Sequence, residues 1–439
     1  DKSRIADEDE SCIYLCGHSI GLKPKSADKY VEQVLNNWGE HGIGAIFSGS
    51  LPAINCDLLV KAPMAKLVGA KASEVTVMNG LSVNLHILMS TFYKPTPQRH
   101  KIIIEEQAFP SDMYIVKSQI VSRGYLPETS LVILKLRPNE HTFREEDVMD
   151  VIAKEGDNVA LILLFGVQYY TGQLMNIAKL TAAAHKKGII VGLDAAHAVG
   201  CVPLKLHEWN VDFAVWSSNK YLNSGFGCVG GAFVHEKFTE EDGNSQMPTL
   251  KGGGATEMTK DFETAKGADR FRMSHPPVLL VATLMASLDI FIQTSIEELE
   301  CKQCLLTGYL EYLLKQKILQ ELFESESHLV DKIDKQIFTI ITPSDPKQRG
   351  AHLSLKFKFS PNEVEEQLKK RGVICDSRTN VMRVSTPPLY TSFQDVWNFV
   401  NILATVIQKI DEKCDNALLE QITDAKHIGT NPESDSLDK

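Results

Sequence analysis

The sequence predicts an α/β protein: a large domain with a mostly parallel sheet covered by helices on both faces, then a smaller C-terminal α+β domain. Three observations carry this. Short apolar runs alternate with helical patterns through the middle of the 439 residues, the signature of strands joined by helical crossovers. Runs such as ALILLF (160–165) are apolar at every position, as in strands buried on both faces. The texture changes after about Phe291.

Taken in order, strands are expected at Lys101–Glu105, Leu131–Leu136, Val159–Val167, Gly188–Asp194, Val211–Trp216 and Gly230–His235. Helices are expected between them at Ser111–Arg123, Glu145–Lys154 and Asn176–Lys187. Beyond Phe291 come a helix over Glu297–Leu322, the strand-like runs IFTIITP, HLSLKFKF, GVICD and MRVS, a helix from Pro361 to Lys370 and a last helix near Phe393–Asp411. The resulting division is an N-terminal segment 1–30, a large domain 31–291, a small domain 292–423 and a polar tail 424–439 expected to be disordered. The first residue is Asp and a motif follows almost at once, so a fragment that has lost its N-terminus is expected.

A composition of 43% hydrophobic and 23% charged residues calls for a packed core. The formal net charge of −10 argues against general binding of nucleic acid or anionic membranes. No run approaches the ~18 apolar residues of a membrane span. Nine scattered cysteines fit a reducing, cytoplasmic setting better than a disulfide framework. The close pairs Cys301/Cys304 and Cys12/Cys16 lack a second pair at zinc spacing, so no metal is expected. Gly225, Gly227 and Gly230 spell G-x-G-x-x-G, but an apolar run rather than a helix follows, which disfavours a dinucleotide site.

The chemistry-bearing residues gather at predicted strand ends, where ligands of parallel sheets bind. Asp194 closes the apolar run GIIVGLD, His197 follows three residues on, and Lys220 lies just beyond the next strand. Such an Asp can keep a pyridine nitrogen protonated while the Lys carries an aldehyde as an imine, the wiring of a pyridoxal 5'-phosphate (PLP) enzyme. The plain alternatives are a helix-capping Asp and a surface lysine. A helix beginning after Asn79-Gly80 would offer the backbone N–H groups of Leu81 and Ser82 to a phosphate, or be a simple turn. Phe109 and Asp112 follow the strand Lys101–Glu105, where a ring can stack on the cofactor and an acid can hydrogen-bond it. Helix capping is again the alternative.

Twelve stretches, in order, make the chain resemble the kynureninase family along nearly its whole length. They include GHSIGLKPK, MNGLSVNLHILM, EQAFPSDMY, YYTGQ, GLDAAHAVG, VDFAVWSSNKYLN, FRMSHPPVLL, RGVICD and RVSTPPLYTSF. The resemblance implies a fold-type I PLP enzyme that hydrolyses L-kynurenine or its 3-hydroxy form to anthranilate or 3-hydroxyanthranilate and L-alanine, within tryptophan catabolism and NAD biosynthesis. It also implies a homodimer with sites built across the subunit boundary. It makes Lys220 the imine and proton-transfer residue, Asp194 the partner of the ring nitrogen and Arg383 the grip on the substrate α-carboxylate. Ser19 would lie near the substrate. The pattern departs from the family at Asn219 (a tyrosine there), Gly253 (a tryptophan), Phe165 (a serine), His275 (an asparagine) and Ile46 (a histidine). The first two would touch the phosphate; His275, placed against cofactor and substrate, and Ile46 would meet the aromatic end. Two rivals follow: another enzyme of the same fold, either an aminotransferase or a cysteine desulfurase (the latter requiring a reactive cysteine such as Cys375), and a non-catalytic paralog.

Overall fold

The computed structural model describes residues 12–239, 265–320, 337–358 and 360–428. Among them a seven-stranded sheet forms the centre, in the order β2-β8-β7-β6-β5-β3-β4. The strands are β2 (Val75–Val77), β3 (Lys101–Glu105), β4 (Leu131–Leu134), β5 (Val159–Phe165), β6 (Ile190–Asp194), β7 (Phe213–Trp216) and β8 (Gly231–Val234), with β1 (Ile13–Tyr14) outside this sheet. The run from β7 to β4 is parallel throughout, while β8 is antiparallel to both β7 and β2. The central strand β5 (VALILLF) is buried at every position. Its residues alternate between two cores. Ile162 and Leu164 join the helices Cys56–Leu67, Glu145–Glu155, Ile177–Lys186 and Val278–Phe291 on one face. Leu161 and Leu163 join Leu81–Phe92 and Pro110–Ser122 on the other.

A third core lies beyond the helix Val278–Phe291. A four-stranded antiparallel sheet, ordered β12-β13-β10-β9, comprises β9 (Phe338–Ile340), β10 (His352–Phe357), β12 (Asp376–Arg378) and β13 (Val381–Ser385). It packs on the helices Ile296–Leu313, Asn362–Lys369 and Phe393–Ile428. The N-terminal segment belongs to this core: β1 pairs in parallel with β11 (Val373–Ile374), and Ile13 and Leu15 are buried in it. The last helix runs to Ile428, well past the expected end at Asp411 and into the stretch expected to be disordered. No Gly or Pro interrupts it before Gly429, where a helix stop is ordinary.

Candidate functional site

The sheet changes its winding direction between β3 and β5. From β3 the chain steps outward to β4, then returns to the other side of β3 to form β5. A crevice at the carboxyl ends of the strands is the geometric consequence. A cavity of about 200 Å³ occupies it, walled by the strand-end residues Glu105, Phe165 and Asp194 and by Lys220.

Three carboxyl groups converge there. Asp194 ends β6, and its Oδ1 accepts the Ala196 N–H at 2.8 Å. Asp112, buried in the first turn of the helix Pro110–Ser122, hydrogen-bonds Asp194. Burial and the adjacent Asp194 charge push Asp112 well above its ordinary value, as expected of two carboxyl groups sharing one site. Glu105 ends β3, and burial raises its carboxyl to about 8. Its one side-chain contact is a long 3.5 Å bond from Gln168 Nε2 to Oε1, and Oε2 has no partner among the described residues.

The amine facing these acids is Lys220. Burial depresses it below its ordinary value; Asp194 and Asp112 pull it up, and the Arg383 charge pushes it down. His197, also on the cavity wall, is kept neutral by burial and then by the Lys220 and Arg383 charges. Its Nδ1 has no partner among the described residues.

A second set of contacts sits beside Lys220. Gly21 crosses its backbone so closely that a Cβ there would lie 2.4 Å from the Lys220 carbonyl. That approach brings His18 and Ser19 against β12 and β13, where Asp376 and Arg383 are cross-strand partners. Arg383 donates to Asp376 from Nε (3.0 Å) and Nη2 (2.6 Å), to Ser19 Oγ (3.1 Å) and from Nη1 to the Tyr169 carbonyl (2.9 Å). Asp376 also binds His18 Nε2 at 2.7 Å and Ser19 Oγ at 2.5 Å. Burial opposes its charge, yet the His18 and Arg383 bonds hold Asp376 well below the usual carboxylate range. Burial lowers His18 to about 4, so it is a neutral donor. Four of the five guanidinium N–H groups are engaged, which leaves one on Nη1.

The structure gathers Leu81, Ser82, Phe109, Asp112, Phe165, Asp194, His197, Asn219 and Lys220 around one cavity. At its helix entrance, Asn79 takes φ +42°, and Asn84 Nδ2 ties back to the Met78 carbonyl (2.8 Å). The helix Leu81–Phe92 starts with no side-chain cap, so its first N–H groups are open to an anion. Phe109 meets Tyr169 edge to face at 5.2 Å. Ser19 and Arg383 lie outside the cavity wall. His275 is exposed and Ile46 lines a separate apolar pocket with Trp38 and Leu279, so neither reaches the cavity of its own chain. Gly253 falls outside the described residues. Asn219 is committed to the protein, donating to the Ser19 carbonyl at 3.2 Å. The Ser217 hydroxyl, by contrast, stands on the wall without a partner among the described residues. Sequence reasoning missed Glu105, His18 and Asp376. The first carried the same strand-end signal as Asp194.

A PLP cofactor suits this cavity. An acid pair, a depressed amine, an uncapped helix start, a flanking aromatic ring and unpaired polar atoms on His197 and Ser217 match its ring nitrogen, aldehyde, phosphate and ring face. Cys375 is buried in the core beneath the four-stranded sheet, and burial raises its thiol well above the ordinary value. It is a packing group, not a reactive nucleophile.

Glu105 yields a prediction. Its folded value of about 8 exceeds its ordinary 4.5, so between those limits the native protein holds a proton that the unfolded chain releases. Stability therefore falls as pH rises through that window. Glu105→Gln is expected to flatten the fall, gaining on the order of 3 kcal/mol at pH 7, with Asp112 supplying the remaining slope. Calorimetry of wild type and variant between pH 5 and 8 reads this directly; parallel curves would refute it.

The fold and site define a PLP-type enzyme of the aminotransferase class-V group. Residues 59–342 match the family described as aminotransferase class-V. A cysteine desulfurase from Thermococcus onnurineus shares this fold at TM-score 0.72 and 17% identity, covering 91% of this chain and 95% of its own. A C-DES mutant with glycine covalently linked to its PLP cofactor does so at TM-score 0.72 and 16% identity, covering 92% and 99%. Residues 304–403 match the kynureninase C-terminal domain. The kynureninase of Rattus norvegicus is 44% identical over 93% of this chain and 87% of its own. That of Homo sapiens is 42% identical over 93% and 87%, and that of Dictyostelium discoideum 45% over 92% and 89%. The chain belongs to the kynureninase family.

Proposed function

We propose that the protein is a PLP-dependent kynureninase, converting L-kynurenine or 3-hydroxy-L-kynurenine and water to anthranilate or 3-hydroxyanthranilate and L-alanine by hydrolysis of the Cβ–Cγ bond. The carrying observation is the depressed Lys220 amine facing the Asp194–Asp112 pair across one cavity. Bound PLP supplies an electron sink for the bonds broken at the substrate. Asp194 and Asp112, sharing one negative charge, hold a proton at the ring nitrogen. Lys220, cheap to deprotonate, takes and returns the substrate α-proton. Leu81 and Ser82 offer N–H groups to the phosphate, with the Ser217 hydroxyl beside them. The neighbouring Ser218 hydroxyl is buried and bonded to Ser224 and to the Val229 carbonyl (2.6 Å), so it takes no part in that grip.

Arg383 meets the substrate carboxylate with its one remaining Nη1–H and a charge that Asp376 already balances. The clamp is thus rigid more than strong: Asp376, His18 and Ser19 fix the guanidinium plane. Anthranilate fluorescence after adding kynurenine to the PLP-loaded protein tests the activity, run beside 3-hydroxykynurenine. A bound cofactor with no product from either substrate would overturn the reading.

The family resemblance to a homodimer gains support from the apolar face around the Ile46 pocket, where Trp38 is 68% and Ile43 79% exposed. The resemblance places Ile46 and His275 at the aromatic end of the substrate; Ile46 lines this pocket, and the exposed His275 lies three residues before its lining residue Val278, so we infer that each completes the site of a second copy. Trp38→Asp with Ile43→Asp is expected to give a monomer with at least ~10-fold lower kcat/KM, since two large apolar anchors per side carry much of such an interface. Light scattering together with kinetics checks it. A fully active monomer would refute the shared site.

A further inference from the structure

Glu74, His207 and His235 converge from three separate segments. Glu74 lies in the turn before β2, His207 in the connection between β6 and β7, and His235 directly after β8. Glu74 Oε1 is 2.9 Å from His207 Nδ1 and 3.7 Å from His235 Nδ1. All three ligand atoms lie within 4.8 Å of one another. Val234, which precedes His235, pairs with Phe213 at the start of β7. The cluster therefore sits at the amino end of the parallel strands, opposite the cofactor cavity.

We propose that Glu74, His207 and His235 form a binding site for a first-row transition-metal dication such as zinc. Two imidazoles and a carboxylate are the donor set such ions take. Ligand atoms around a tetrahedral ion at ~2.1 Å are ~3.4 Å apart, between the two distances seen here. The carboxylate is already fixed as metal-bound carboxylates are. Its Oε2 accepts the Lys71 N–H and its Oε1 the Glu236 N–H, each at 2.9 Å, which leaves the second lone pair of Oε1 toward the imidazoles. His235 Nδ1 accepts the Lys237 N–H in a long 3.3 Å bond, and an ion would take that single lone pair in exchange for the weak bond. His207 need only move its proton to the other ring nitrogen. The imidazoles stack at 5.0 Å, and the His207 side chain is 34% exposed while Glu74 is fully buried. That gives an entry path and a solvent-side position for water as fourth ligand.

A bound ion would join the turn before β2, the β6–β7 connection and the end of β8, the antiparallel edge of the sheet. Among the described residues the other cluster of this kind is Cys16, His18 and Asp376, of which His18 and Asp376 already serve the Arg383 clamp. The test is equilibrium dialysis of the PLP-loaded protein against zinc(II), with wild type beside His207→Ala and His235→Ala. Wild type is expected to take up one equivalent per chain more than either variant, and its thermal midpoint to rise with zinc concentration where theirs does not. Cobalt(II) in place of zinc should give a visible ligand-field band in wild type alone. Kynurenine cleavage by His207→Ala is expected at the wild-type rate, which shows that the variant is folded. Equal zinc uptake by all three proteins, or a wild-type midpoint indifferent to zinc, would overturn the site and leave Glu74 a hydrogen-bonded latch. Both readouts are independent of the PLP chemistry, so they stand or fall apart from the proposed reaction.

Discussion

Lys220→Ala is expected to lower kcat/KM for kynurenine by at least ~10³-fold, the upper part of the range for a proton-transfer side chain that is also a covalent anchor. The purified variant should also lose the visible absorbance of enzyme-bound PLP. Burial first, and then the Arg383 charge, lower the Lys220 amine below its ordinary value against the pull of Asp194 and Asp112, so its proton is removed at less cost than that of a free lysine. Lys220→Arg separates this property from charge. A guanidinium stays charged in proteins, so that variant should be as inactive as the alanine while keeping a cation near Asp194 and Asp112. Activity within tenfold of wild type in either variant would remove Lys220 from its role.

Asp376→Ala is expected to cost about 3–5 kcal/mol of stability, the usual penalty for stranding one member of a buried ion pair. Arg383 is 2% exposed, and Asp376 accepts two of its four hydrogen bonds. A double variant, Asp376→Ala with Arg383→Met, should recover much of the loss, because the stranded charge goes with its partner. The sign of the pH dependence follows from the depressed carboxyl. Its contribution is fully present above the unfolded aspartate value near ~3.9, and is lost only as pH falls through the lower folded value. Calorimetric midpoints of wild type and Asp376→Ala should therefore stay a constant distance apart from pH 5 to 8 and converge only in strong acid. A gap that closes near neutral pH would mean that the pair is not charged as described. The KM for kynurenine should rise in the same variant, since Nη1 loses its fixed direction.

The parts of this molecule that could be read from the chain are those whose physics is local. β5 is apolar at every position because both its faces are covered, and a parallel strand so placed announces itself. Asp194 and Lys220 were legible because each follows such a strand. β1 and β2 were not, being two and three residues long and stable only through partners far along the chain. Asp376 stood in view at the end of GVICD, but nothing in the spacing told that β12 would set it opposite Arg383. Glu105 was legible in position and missed in consequence: its raised pKa comes from burial beneath a cavity that only the assembled sheet encloses. His275 and Ile46 do not line the cavity of their own chain; only the family resemblance had placed them at the substrate.

The pairing of β1 with β11 has a bearing on how the protein is made. His18 and Asp376 are 358 positions apart, so on a ribosome adding 5–20 residues each second, His18 waits roughly 20–70 s for its partner to emerge. During that wait Ile13–Tyr14 is a short apolar segment without its strand neighbour, while the parallel sheet can already assemble behind it. The clamp around Arg383 is consequently among the last features to form. A nascent or truncated chain that ends before β11 would own the lysine and the acid pair without the means to orient a substrate between them.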